Sequence, residues 1–325
     1  MLNTKQRDIH ILRYFSSFIS VSEGKIINIT DPKLTFCPLA SHLYKGFTTA
    51  DKMDKEALKR EIKKAIGSKI KDFGFFTSRR IFSAKDVAIP YGASEMLMFA
   101  LNKKTIDVAV IVCDGAGTII TDRGDIAQGV GARMNSLLMT SPIKEIQDHL
   151  KRAGCYLIFE NAFIDQVKGV EKAIQSEHKR IAVTVCGHDS NKLKTIRELE
   201  FPRTSITILS VCTTGISEAN VREIKDYADI VWSCASLDIR ETVGSAALLQ
   251  ISKQIPIFAL TQKGVDLVVA YAQDGEPLRE LNKRKQYLIS LEPGFCKIKL
   301  GNTNNYLREE KLPVLPEVNF ALAGA

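Results

Sequence analysis

A chain of 325 residues, 45% apolar and 25% charged, is long enough for one large domain or two ordinary ones, and this composition excludes a disordered, collagen-like or coiled-coil protein. Apolar runs such as residues 106–113 stop after about eight positions, well short of the roughly 18 that a membrane-spanning helix needs, so no membrane partner is expected. The balance of 45 Lys+Arg against 37 Asp+Glu gives a net charge of +8 and leaves a nucleic-acid or acidic partner to be considered.

The first residues carry charges without the apolar stretch and small-residue cleavage site of a signal peptide, so a cytosolic location is expected. Residues 14–21 and 25–29 are rich in β-branched and aromatic side chains and flank Ser22-Glu23-Gly24, which predicts a β-hairpin stopped by Asp31-Pro32. In Cys37-Pro38-Leu39-Ala40 the proline biases Cys37 toward an extended backbone. Residues 52–71 carry Lys55, Lys59, Lys63 and Lys64 among Glu56 and Glu61. Leu58, Ile62, Ala65, Ile66 and Ile70 recur there at helical spacing, the pattern of an amphipathic surface helix with a basic outer face. That face is either solvated or a dock for an acidic partner; no nucleic-acid-binding motif accompanies it, so nucleic acid is not an expected partner.

Residues 75–89 read as irregular, and a boundary is expected near residue 90. Beyond it six short apolar runs, at 106–113, 156–159, 181–186, 206–212, 230–234 and 256–260, alternate with amphipathic stretches at 94–101, 143–151, 164–175, 190–199, 217–227 and 239–249. The alternation predicts an α/β fold with a mostly parallel, doubly wound, Rossmann-like sheet. The expected organisation is an N-terminal hairpin and basic-helix subdomain over 1–90, a parallel α/β domain over 91–285, and a tail over 286–325 that wraps the surface, with Pro293, Pro313 and Pro316.

In a reducing cytosol the seven cysteines are expected as thiols, metal ligands or catalytic groups rather than disulfides. The nearest pair, Cys212 and Cys234, stand 22 positions apart, which excludes the zinc ribbon, the ferredoxin run and the thioredoxin motif. Four apolar runs end in cysteine, at Cys113, Cys186, Cys212 and Cys234. In a parallel sheet those thiols can line the carboxyl edge, where βα loops build ligand sites; otherwise they are small buried hydrophobes.

Cys113-Asp114-Gly115-Ala116-Gly117-Thr118 places two glycines directly after a strand, so its amides can cradle an anion or cofactor edge, or simply close a hairpin. No P-loop is present and Gly129-Val130-Gly131 lacks the third glycine of a dinucleotide fingerprint, so NAD or ATP is not favoured. Thr213-Thr214-Gly215, with Ser217 as a helix N-cap, and Cys234-Ala235-Ser236 with Arg240 have the same strand-end character. Cys186-Gly187-His188-Asp189 sets a thiol, an imidazole and a carboxylate side by side, for nucleophilic or metal chemistry or as a helix-capping pair; Cys37 with His42 is a looser version. Glu95 in Gly92-Ala93-Ser94-Glu95 is either a first-turn helix carboxylate or an acid–base group.

Several strings together resemble the methanogenesis marker protein 8 family. They are Cys37-Pro38-Leu39, Gly92-Ala93-Ser94-Glu95, Val112 to Thr118, Gln128-Gly129-Val130-Gly131, Thr140-Ser141-Pro142, Ile164-Asp165-Gln166, Ala182-Val183-Thr184-Val185, Thr213-Thr214-Gly215-Ile216 and Cys234-Ala235-Ser236, in the family's order. The chain departs from the family at Cys212, where the pattern has His before Thr-Thr-Gly; the two can interchange as metal ligands but not as a general base. The resemblance implies an archaeal, anaerobic setting tied to methanogenesis, with no established molecular activity.

The resulting expectation is a cytosolic accessory protein. Its strand-end thiols would handle a metal centre or thiol cofactor linked to methyl-coenzyme M reductase maturation or related methanogenic metabolism. Cys37, Cys113, Cys212 and Cys234 are the candidate ligands of an iron–sulfur cluster or other soft metal. Asp114, Gly115, Ala116, Gly117, Thr118, Thr213, Thr214, Gly215, Ser236 and Arg240 are the candidate cofactor contacts, and methanogenic enzymes or maturation proteins the expected partners. The alternatives are a metal-free small-molecule enzyme with catalytic candidates Cys113, Asp114, Cys186 and His188, and a docking protein for an acidic partner.

Overall fold

The computed structural model describes residues 7–35, 37–47, 53–82 and 89–316. A four-stranded antiparallel sheet is ordered β3-β2-β1-β6, with β1 at His10–Tyr14, β2 at Ser17–Ser22, β3 at Lys25–Ile29 and β6 at Ser136–Thr140. The expected hairpin is β2–β3, turned by Glu23 and Gly24 at φ 50° and 67°. Ahead of it β1 and β2 are joined by Phe15 and Ser16, both at positive φ (51° and 53°), a two-residue turn whose twist matches the strands. His10 therefore lies fully buried on β1, with Nδ1 at 2.6 Å from Thr140 Oγ1. The short helix α1 (Pro38–Leu43) and the long basic helix α2 (Lys55–Phe73) belong to the same part of the molecule. In α2 Asp54 accepts the Ala57 amide at 2.6 Å as N-cap, and Gly74 ends the helix at φ 68°. Its buried stripe is Leu58, Ile62, Ala65, Ile66 and, on the same face, Lys69.

The larger sheet has eleven strands and is mixed. In chain order they are β4 (Val108–Cys113), β5 (Gly117–Thr121), β7 (Tyr156–Leu157), β8 (Arg180–Cys186), β9 (Ser205–Val211), β10 (Ile230–Trp232), β11 (Leu249–Ile251), β12 (Ile257–Ala259), β13 (Tyr287–Ser290), β14 (Cys296–Leu300) and β15 (Thr303–Glu309). The spatial order is β14-β15-β13-β11-β12-β10-β9-β8-β4-β5-β7. Only the central run β4-β8-β9-β10 and the pair β11·β13 are parallel. The expected mostly parallel, Rossmann-like sheet is thus corrected to a parallel centre with antiparallel flanks.

The reason lies in the connections. The central crossovers contain α6 (Gln166–Gln175), α7 (Leu193–Glu198) and α8 (Glu218–Tyr227). The helix expected over 239–249 is only a π turn at Ile239–Val243 and a 3-10 turn at Gly244–Ala246, and β11 and β12 that follow it meet as an antiparallel hairpin. The segment expected to wrap the surface from 286 instead forms β13, β14 and β15, whose pairings extend the sheet; Pro293, Pro313 and Pro316 stand outside those strands.

The two sheet faces are covered by different helices. Val170, Ala173, Leu193, Ile196, Val221 and Ile224 of α6, α7 and α8 pack on Val108, Val110, Ile181, Val183, Ile206 and Ile208. The alternate strand residues Ala109, Ile111, Ala182, Leu209 and Ile230 face α3 (Ala93–Asn102), α4 (Gly124–Gly131), α5 (Lys144–Arg152) and α9 (Gln262–Tyr271), with the short α10 (Glu276–Arg279) beside α9. Among the described residues no helix is long and apolar enough to cross a membrane.

Gly129, suspected as part of a nucleotide fingerprint, has a packing role. A Cβ there would overlap the Phe82 carbonyl, which passes directly across α4, and the Gly129 carbonyl accepts from Arg80 at 2.9 Å. Gly129→Ala is expected to lower stability by about 3 kcal/mol in chemical denaturation, whereas Gly154→Ala, with open space but φ 85°, should cost about 1 kcal/mol. Equal costs would remove the packing explanation.

Candidate functional site

The parallel strand β8 ends in Cys186, and its neighbours β9 and β10 are followed one and two residues on by Cys212 and Cys234, with Arg13 of the small sheet, Cys37 before α1 and Lys69 of α2 close to those thiols. Cys212 is central: Cys186, Cys234 and Cys37 all lie near enough to act on its thiol electrostatically. Cys37, the extended residue that precedes α1, has Cys234 as its neighbouring thiol. Each of the four remains partly exposed. Cys186 Sγ donates to Ser136 Oγ at 3.4 Å, and the same hydroxyl meets the Cys212 thiol. Ser136 is opposite Arg13 in the β1·β6 register, which sets a guanidinium beside Cys186 and Cys212.

Cys212 and Cys234 share a second feature. Both have left-handed backbone, at φ 57° and 48°, which costs a non-glycine residue on the order of 1 kcal/mol and persists only where the surroundings hold it. The holding groups are residues expected to touch a cofactor. Thr213 Oγ1 donates to the Trp232 carbonyl at 2.7 Å, Thr214 Oγ1 accepts the Ala235 amide at 3.1 Å, and the Arg240 guanidinium donates to the Cys234 carbonyl at 2.5 Å and the Gln254 carbonyl at 3.3 Å. Ser236 Oγ accepts the Ile239 amide at 3.3 Å, and the Gly215 carbonyl faces Arg13 at 3.5 Å. These groups shape the strand ends from behind.

Lys69, unremarked within the basic helix, completes the cluster. It is only 4% exposed, its Nζ donates to Asn135 Oδ1, and it stands 5.5 Å from the Tyr14 ring centroid and 6.0 Å from that of Tyr44. Burial lowers its ammonium to about 7, Arg133 pushes in the same direction, and Cys37 and Cys212 oppose the shift. The signal in the sequence was its register: Lys69 falls on the apolar stripe three residues after Ile66.

Burial pushes every thiol of the cluster upward, Cys37 to about 12, and Cys186, Cys212 and Cys234 likewise, so all four are protonated at neutral pH. His188 shares this edge through its Nε2, 3.3 Å from the Thr214 carbonyl, and burial with the nearby Arg13 charge lowers it to about 4. Among the described residues no three His, Cys, Asp or Glu side chains form a group able to hold a metal ion. The side chain of His42 lies outside the described residues.

Cys113 does not join the cluster. It is fully buried against the α3–α5 layer, its thiol directed to the Asp114 carbonyl at 3.2 Å, with Cys155 as the neighbouring thiol. Asp114 accepts the Phe76 amide at 2.7 Å and pairs with Arg80 Nε at 3.0 Å. The Gly115 amide goes to Thr140 Oγ1 at 2.8 Å, the Ala116 amide to the Cys113 carbonyl at 3.3 Å, and the Thr118 amide to the Phe163 carbonyl at 3.2 Å. Thr118 Oγ1 accepts the Asp165 amide at 2.8 Å, and Gly117 at φ 71° opens β5 with the Ala162 carbonyl against it. Asp114 to Thr118 thus forms the β4–β5 hairpin turn and the start of β5, with the Gly115, Ala116 and Thr118 amides bonded within the protein. Glu95, fully buried, accepts from the Ile89 amide at 3.0 Å and Gln128 Nε2 at 2.9 Å, away from the strand-end thiols.

An uncharacterised protein of Methanocaldococcus jannaschii is 39% identical to this chain over 257 residues, covering 79% of this chain and 87% of its own length. Residues 10–273, which include every side chain of the strand-end cluster, match the model of a family described as uncharacterised proteins conserved in archaea, DUF2099. The chain belongs to that archaeal family.

Proposed function

We propose that this chain is a cytosolic accessory protein of methanogenic metabolism, connected with methyl-coenzyme M reductase, whose strand-end chamber binds a thiol-bearing small molecule. The observation that carries the reading is the convergence of Cys37, Cys186 and Cys234 on Cys212, with the buried amine of Lys69 close to Cys37 and Cys212. Protonated thiols offer weak S–H donors and polarisable surface to a sulfur-bearing ligand. The left-handed backbone at Cys212 and Cys234 is strain of the kind retained at ligand sites. A small ligand is favoured over a resident metal centre because no group of three donor side chains is formed among the described residues.

The test is alkylation of oxygen-free protein with iodoacetamide, read peptide by peptide, with and without 3-mercaptopropionate. The added thiol also consumes iodoacetamide, so labelling is read relative to the distant Cys296, and Cys37, Cys212 and Cys234 are expected to slow by about fivefold or more beyond it. Slowing equal to that of Cys296 would reject the chamber as a ligand site. Iron or zinc near one per chain in the same preparation would replace the small ligand with a metal.

A further inference from the structure

Three cations, Arg13, Lys69 and Arg133, stand close to the strand-end cluster. Arg13 reaches it from β1, donating to Ser16 Oγ at 2.7 Å and to the Gly215 carbonyl at 3.5 Å, and acts on both Cys186 and Cys212. Lys69 enters from α2 with an amide oxygen, that of Asn135, as its hydrogen-bond acceptor. Arg133, two residues before Asn135, lies with its guanidinium 4.5 Å from the Phe73 ring centroid and within electrostatic range of Lys69. Among the described residues none of these three cations forms an ion pair with a carboxylate. The acid nearest Cys186, Asp189, is within 3.6 Å of Lys192, and Asp72 is felt at Tyr44. Arg80 has Asp114 at 3.0 Å, and Arg197 has Asp229 at 2.6 Å and Glu200 at 2.7 Å, whereas buried Arg240, beside Cys234, donates to the Cys234 and Gln254 carbonyls. A half-buried site with unmatched cations is costly unless a counter-charge arrives from outside.

We infer that the ligand of this chamber is an anion, its acidic group held between Arg13 on one side and Lys69 with Arg133 on the other, and its sulfur against the strand-end thiols. Arg13 is suited to a planar carboxylate or a sulfonate because its guanidinium presents parallel donors, while Lys69 supplies a point charge from below. The inference rests on the chamber being the ligand site and adds the ligand's charge.

The experiment is calorimetric titration of the full chain with three probes, 3-mercaptopropionate, propionate and the uncharged 2-mercaptoethanol. The expected result is that 3-mercaptopropionate binds about tenfold tighter than either of the others. Arg13→Gln and Arg133→Gln are each expected to erase the advantage of the anion over 2-mercaptoethanol without changing the uncharged probe's affinity, and Arg13→Lys to restore part of it. Circular dichroism melting of each variant separates lost recognition from lost fold. Equal binding of the charged and uncharged thiols, or an unaltered ratio in both glutamine variants, would overturn the anion while leaving the thiol chamber standing. Absence of binding by any probe would overturn both.

Discussion

Lys69→Met is expected to unfold at a higher temperature than the parent protein, by about 5 °C at pH 6, because it removes a buried cation that costs on the order of 2 to 3 kcal/mol to hold. Lys69 titrates near 7 in the fold against 10.5 for an ordinary lysine. Between those values the unfolded chain carries the extra proton, so the parent gains stability as pH rises through that window; below it the penalty is complete and constant. The advantage of Lys69→Met should therefore be largest at pH 6 and shrink by pH 9.5, measured by scanning calorimetry at both. A variant that melts at or below the parent at pH 6, or whose advantage ignores pH, would show that Lys69 is not an uncompensated charge. The same substitution should weaken binding of 3-mercaptopropionate about tenfold or more, the usual opposition between stability and a strained site.

Asp114→Ala should be the most damaging single change at the β4–β5 turn, about 4 kcal/mol in chemical denaturation. It leaves Arg80, whose side chain is 1% exposed and whose guanidinium stacks 3.6 Å from the Phe75 ring centroid, without its counter-charge. It also leaves the Phe76 amide without its acceptor. Combining Arg80→Met with Asp114→Leu should recover more than half of the loss, since an apolar pair of similar volume has no charge to desolvate. If the double variant is worse than Asp114→Ala alone, the pair is held by more than mutual neutralisation. Labelling of the strand-end cysteines should be unaltered in any variant that folds.

The parts of the fold that could be read from the residues were those whose signals are local. The β2–β3 hairpin announces itself through Glu23-Gly24, and α2 through its apolar stripe. The central strands are visible because both faces are covered, which makes Ile181 to Val185 and Ile206 to Leu209 apolar on both faces apart from Thr184 and Thr207. What was hidden depends on partners remote in sequence. The Phe15-Ser16 turn has neither glycine nor asparagine, so β1 is evident only once β6 is laid against it. β11 and β12 are three residues each, too short to carry a period, and Pro293, Pro313 and Pro316 made the C-terminal segment resemble a surface strap.

The site was half visible for the same reason. Strand-end position singled out Cys186, Cys212 and Cys234, but it also singled out Cys113, whose thiol turns to the opposite layer. The Asp-Gly-Ala-Gly-Thr string looked like a cradle because its glycines are real requirements; they serve a turn and a close approach to the Ala162 carbonyl. Lys69 was passed over because in a helix with many lysines its charge was ordinary and only its register was not.

β6 has a kinetic consequence. His10 and Thr140 face each other across a sequence separation of 130 residues, so β1 has to wait for the last strand of its own sheet. At roughly 10 residues per second that interval is on the order of ten seconds, during which the edge of β1 stays unprotected. The wait is longer for the chamber, whose final wall is Cys234. A nascent chain halted after β9 would have the small sheet but would lack Cys234, so the strand-end cluster forms only after both sheets have been brought together.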